Sequence, residues 1–240
     1  MRDNLNRAAV LIDMLLHDPN FPDRLQVSLH EVQAFLFYKQ SNYDRAAFHL
    51  NLALDNAASQ GERARGEYLI AQLYARDGKH AESKAYYEKS AGHTLDPVME
   101  VYARLNAIRQ NKGDQSGDDY IRKNLQVLHK MSRKELFVPY RDIIYYAAGE
   151  MELERNNTPG ALEYFKKSAA SSGIEGTMRD PALMKLGWLY FDAKKYPEAK
   201  NVYDSVSTLN PMISDSLQIL ADRKLALSRL VPQIQIIKRQ

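Results

Sequence analysis

Residues 180–211 read DPALMKLGWLYFDAKKYPEAKNVYDSVSTLNP, and the spacing of their large and small side chains decides the fold. Leu183, Leu186 and Tyr190 recur at the three- and four-residue steps of one helix face, and Tyr203 follows Ala199 at the same step in a second segment. Gly187 and Ala199 are the points where two helix backbones can approach closely, with the larger side chains filling the space around them. Lys194-Lys195-Tyr196 fits the turn between the helices, Tyr196 packing back as the second begins, and Pro211 stands beyond its end. A helix pair of this kind cannot bury its apolar face alone, so it requires neighbours.

The second-helix pattern recurs as Ala46-x3-Leu50-x2-Ala53, Ser83-x3-Tyr87-x2-Ser90, Ala161-x3-Phe165-x2-Ser168 and Ala199-x3-Tyr203-x2-Val206. The first residues of successive copies are 37, 78 and 38 positions apart, and 78 is two steps of 39. A degenerate unit is therefore expected between Asp96 and Met131, with Tyr120-Ile121-x3-Leu125-x2-Leu128 as its second helix. The first helices match too: Ala34 with Phe37, Ala71 with Tyr74, and Gly149 in a weaker copy. Spacing, residue type and period together resemble the tetratricopeptide repeat (TPR) family over nearly the whole chain. That resemblance implies an all-α fold, a right-handed α-α superhelix of about five helix pairs plus unpaired end helices, and protein binding rather than chemistry.

The expected organisation is one solenoid domain over residues 1–240 that begins and stops mid-unit, as a piece of a longer protein would. Residues 4–17 have the pattern of a second helix without a first, broken by Asp18-Pro19-Asn20-Phe21-Pro22. Residues 214–230 read as a first helix without a second, interrupted by Pro232 and followed by a short tail, Gln233 to Gln240.

Composition narrows the function. The net charge is only +3, with 33 basic and 30 acidic residues interleaved, which argues against nucleic acid. The densest basic run, His129-Lys130-Met131-Ser132-Arg133-Lys134, reads as a solvated loop. There is no cysteine, hence no disulfide or thiolate metal site. No stretch approaches the roughly 20 apolar residues that cross a bilayer, and Met1-Arg2-Asp3-Asn4 does not open a signal peptide.

No catalytic or cofactor motif stands out, and we expect neither an enzyme nor a cofactor or metal. None of the six histidines pairs with another at helical three- or four-residue spacing. Asp114-x-Ser116-x-Asp118 resembles the start of a calcium loop, but Asp119 and Leu125 replace its glycine and bidentate acid, so a polar turn is expected. Asn156-Asn157-Thr158 is formally a glycosylation sequon and also a good helix stop and restart, and we take the turn. Glu150 and Glu154 read as a solvated strip rather than a paired acid and base.

In TPR proteins the first helices line a concave face that holds ligands, so the resemblance implies a protein or peptide partner there. The residues of this chain that would face it are Glu31, Phe35 and Tyr38, then Arg65, Tyr68, Gln72 and Arg76. Further along they are Arg104, Tyr146, Glu150, Met184 and Trp188. Aromatic and arginine side chains dominate interface energetics, although Tyr146 and Trp188 serve equally well as packing between units. Co-chaperone TPR domains hold a terminal carboxylate with a Lys and an Asn. The matching places here are Glu31 with Phe35 and Tyr68 with Gln72, which argues against that clamp.

A narrower resemblance rests on residues 47–54, 66–74, 102–106 and 221–230. These are similar to stretches of the Bacteroidetes outer-membrane TPR lipoproteins of the SprE/PorW type, associated with gliding motility and type IX secretion. The resemblance implies a scaffold on the periplasmic side of the outer membrane, touching the membrane only through an upstream lipid anchor. A cytoplasmic TPR adaptor or peptide-sensing regulator is the alternative, and a third reading attaches the repeats to a catalytic domain outside this chain.

Overall fold

Short polar side chains start four of the helices. Asn42, Ser59, Asp96 and Asn157 each accept a backbone N–H from the first turn that follows them. At Ser59 the cap is reciprocal: Glu62 reaches back to accept the N–H of Ala58. Pro97 and Pro159 occupy the first turn of their helices, where a missing N–H costs nothing.

The computed structural model describes residues 2–110, 117–171 and 177–237, and the described residues are all-α, without a strand. They divide into two compact units, residues 1–114 and 115–240. The first holds α1 (Arg2–Leu16), α2 (Asp23–Lys39), α3 (Tyr43–Ala53), α4 (Gln60–Arg76), α5 (His80–His93) and α6 (Pro97–Arg109). The second holds α7 (Gly117–Ser132), α8 (Arg141–Glu154), α9 (Thr158–Ala170), α10 (Arg179–Asp192), α11 (Tyr196–Asp204) and α12 (Leu217–Ile237). Within each unit consecutive helices pack on one another in chain order. The helix of residues 120–128 forms as expected, as part of α7.

Four antiparallel pairs, α2/α3, α4/α5, α8/α9 and α10/α11, share one turn. Ser41, Gly78, Asn156 and Lys194 take the left-handed conformation, with φ of 59°, 79°, 59° and 57°. In each, the next N–H reaches five residues back: Asn42 to Phe37, Lys79 to Tyr74, Asn157 to Glu152 and Lys195 to Tyr190, at 2.8–2.9 Å. This is a Schellman closure, which satisfies carbonyls that a helix end leaves free.

The pairs also share their contact. A Cβ on Gly187 would lie 2.5 Å from the ring of Tyr203, and one on Gly149 would lie 2.7 Å from the ring of Phe165. Both rings are buried, so the first-helix backbone rests on an aromatic face. Ala71 and Tyr87 belong to one such cluster sixteen residues apart, the same separation. The marker residues Ala46, Ser83, Ala161 and Ala199 are fully buried. Ser90 and Ser168 donate their hydroxyls to the carbonyls of Ala64 and Asp142, each 26 residues back and 2.8 Å away. A polar side chain thus survives in the core because the first helix accepts from it.

Two expectations at the C-terminal end need correction. Residues 211–216 form a 3-10 turn, so the helix begins at Leu217 rather than at Ser214. Pro232 does not interrupt it: α12 runs through the proline to Ile237. Burial of Leu220, Leu227 and Val231 anchors this helix up to the proline itself, and Pro232 faces outward. At the other end α1 packs Ile12 against Leu29 and Leu36 of α2.

Candidate partner-binding site

The first unit contains an open cavity of about 490 Å³ between α2 and α4. Its helices present residues three and four apart on one face, so the sequence spacing alone brings Glu31, Ala34, Phe35 and Tyr38 of α2 to the wall. From α4 come Leu69, Gln72, Leu73 and Arg76, while Leu50 and Tyr87 of the second helices close the floor. Phe35 remains 60% exposed and Leu69 51%, which leaves large apolar surface open to solvent.

Cations rim one end. The guanidinium of Arg76 lies 5.8 Å from the ring centre of Tyr38 and 5.7 Å from that of Tyr43. Lys39 Nζ lies 5.0 Å from the ring centre of Phe35 and 6.0 Å from that of Tyr38. Cations are attracted to such ring faces. The Tyr43 hydroxyl, then Tyr38, hold the guanidinium above its ordinary range. Tyr87 is pushed up to about 12, first by burial and then by Tyr68, so its phenol stays neutral.

Of the predicted site residues, Glu31, Phe35, Tyr38, Gln72 and Arg76 converge on this cavity. Arg65 is exposed on α4 and does not line it. Tyr68 is half-buried: its ring meets Tyr87 edge-on at 5.1 Å and its hydroxyl accepts from Asn106 Nδ2 at 2.7 Å. Burial is the first cause that raises its pKa. Arg104 is exposed, and two of its N–H groups hold Glu100 on the same helix.

The remaining candidates lie in the second unit. Tyr146 is half-buried and meets Phe165 edge-on at 5.4 Å. Met184 packs against the core around Tyr203, whereas Trp188 on α10 is 49% exposed. Glu150 pairs with Lys185 at 2.9 Å. The solvated strip is thus confined to Glu154, because Glu150 is tied to α10 and Glu152 is buried, accepting from Arg155 and Asn157. Asn156 and Asn157 make the turn and the helix cap, as expected.

Sequence reading missed Leu69 and Leu73 as cavity wall, though both lie one helical step from Gln72 and Arg76. It also missed the meeting of His30 and His49, whose Nδ1 atoms are 3.3 Å apart across α2 and α3. Burial first, then His30 and Arg45, lower the pKa of His49. Among the described residues no three His, Asp or Glu side chains converge as metal ligands would. Asp114 and Ser116 of the calcium-like stretch lie outside the described residues, and Asp118 pairs with Arg122. No described helix is long and apolar enough to cross a membrane.

Residues 181–211, which span α10 and α11, match the family model of the tetratricopeptide repeat. The match thus falls on the α10/α11 pair. No curated protein matches the chain in sequence. Among solved structures the chain is similar to BtubC (BKLC) from P. vanneervenii, at 15% identity over 85% of this chain and 88% of that one, with a TM-score of 0.47. It is also similar to the TPR2AB domain of yeast Sti1 in complex with pHSP90, at 15% identity over 93% of this chain and 90% of that one, with a TM-score of 0.33.

Proposed function

We propose that this chain is a non-catalytic scaffold that holds a partner protein or peptide in the cavity between α2 and α4. The observation that carries the reading is the wall itself. Phe35, Leu69 and Tyr38 expose apolar surface that an isolated protein would bury, with Arg76 and Lys39 at its edge. Aromatic and arginine side chains around a pocket are what a binding hot spot is made of. Catalysis would need an acid, base or nucleophile convergent with a pocket, and this cavity offers only Glu31 as a carboxylate.

The finer proposal is a place in a cell-envelope assembly of secretion or gliding motility, on the periplasmic side of the outer membrane, supported by the resemblance of residues 47–54 and 66–74 to that class of lipoprotein. In-cell crosslinking of the full-length protein in its native organism, followed by mass spectrometry, tests both levels. Crosslinks from α2 and α4 to outer-membrane secretion or motor components are expected. Crosslinks confined to cytosolic proteins would replace the envelope reading with a cytoplasmic adaptor, and an absence of crosslinks at α2 and α4 would remove the cavity from the account.

A further inference from the structure

We propose that the cavity of the first unit selects a partner segment in which a large apolar residue stands between an acidic residue and a basic one. This rests on the reading of the cavity as a partner site. Three features of the wall specify the occupant.

The first is the cationic end. Among the described residues neither Arg76 nor Lys39 has a carboxylate partner, and both rest on aromatic faces. Nearby Lys79 shows the contrast, since it is held by Asp44 and Asp77. A guanidinium already positioned by two rings loses little freedom on gaining a carboxylate, and its planar fork suits bidentate pairing.

The second feature is the opposite end. Glu31 is exposed and in no ion pair among the described residues. It stands seven residues before Tyr38 on α2, a rise of about 10 Å. An entirely acidic segment would meet Glu31 unfavourably, and an entirely basic one would meet Arg76 and Lys39. A segment of mixed charge satisfies both ends and sets the orientation of the occupant.

The third is the apolar stretch between them, formed by Phe35, Leu69 and Leu73. An extended chain advances about 3.3 Å per residue, so the 10 Å separation corresponds to about three residues. The acidic and basic residues then stand about three positions apart, and the apolar anchor is one of the two residues between them.

A synthetic array of random heptapeptides, acetylated and amidated so that no terminal charge contributes, tests this against the intact chain. The array is also probed with the Arg76→Glu, Glu31→Lys and Leu69→Glu variants, each at an exposed position and each checked by far-UV circular dichroism. The expected result is enrichment of acid–apolar–base patterns on the unmodified chain. The best peptide should weaken at least tenfold with Arg76→Glu and with Glu31→Lys. Replacing its acidic residue by lysine should restore binding to Arg76→Glu. Enrichment of apolar peptides without charge pairing, or affinities unmoved by both charge reversals, overturns the selectivity; if Leu69→Glu still abolishes them, the cavity stands as a partner site. Should no peptide bind the unmodified chain above the Leu69→Glu variant, both the selectivity and the site fall. Arg76→Gln serves as the second variant if the reversal at that position unfolds the chain.

Discussion

Replacing Gly187 by alanine is the sharpest test of how the helix pairs are held together. The added Cβ would lie 2.5–2.7 Å from three carbons of the Tyr203 ring, all inside normal contact. The ring is 2% exposed, packed in a core with Leu186 and Ala199, so it cannot swing aside into solvent. Overpacking of this kind costs about 1–3 kcal/mol. Removing a helix-interior glycine opposes it by up to about 1 kcal/mol. The net expectation is a loss of about 1–2 kcal/mol. Gly92 on α5 is the control, because a Cβ there meets nothing within 4 Å, so Gly92→Ala should be neutral or stabilising. Urea unfolding followed by far-UV circular dichroism compares the two. The fluorescence of Trp188, the single tryptophan and the neighbour of Gly187, reports the affected pair directly. Combining Gly187→Ala with Tyr203→Leu should recover part of the loss, as expected for two residues in contact. If Gly187→Ala stabilised the chain as much as Gly92→Ala, the close approach of α10 to Tyr203 would be wrong.

Two further outcomes follow from the turns and the histidine contact. Lys194 is held at φ 57°, a conformation that costs a residue with a side chain about 1–2 kcal/mol. Allowing for the greater freedom that glycine loses on folding, Lys194→Gly should stabilise by about 0.5–1 kcal/mol in urea unfolding, while Lys195→Gly should not. The folded pKa of His49 lies below its ordinary 6.5, so the unfolded chain binds the proton first. Its contribution leaves stability level above that value, lowers it as the pH falls through 6.5, and levels off again below the folded pKa. Unfolding titrations from pH 8 to 5 should show this slope shrink in His49→Gln.

Much of the architecture is legible in the sequence because it depends on local spacing. The 37-, 78- and 38-residue intervals between second-helix markers return unchanged as the intervals between Ser41, Gly78, Asn156 and Lys194. The role of Gly187 is readable because only a missing side chain admits a tyrosine ring at that distance. Other features depend on residues far apart in the chain. Tyr68 looks like an exposed helix position until Asn106, 38 residues later, is brought to its hydroxyl. His30 and His49 carry no helical spacing and meet only because α2 folds back on α3. The fate of Pro232 was hidden for a related reason: helix propensity argues for a break, whereas the buried Val231 beside it belongs to the packing of α12. In the cavity, helical spacing found the charged and aromatic residues, but deciding between Arg65 and Leu69 as wall required the position of α2.

The shared turn has a consequence for how such a chain can evolve. Each of the four turns closes through its own backbone, with one left-handed residue and one five-residue bond whose donor and acceptor both lie within the pair. Gene duplication or loss that respects the interval of one pair therefore delivers or removes a complete, self-closing hairpin. The left-handed residue itself can drift among serine, glycine, asparagine and lysine, as it has here. The length of the array is then free to change by whole hairpins while the turn that makes each one is inherited intact.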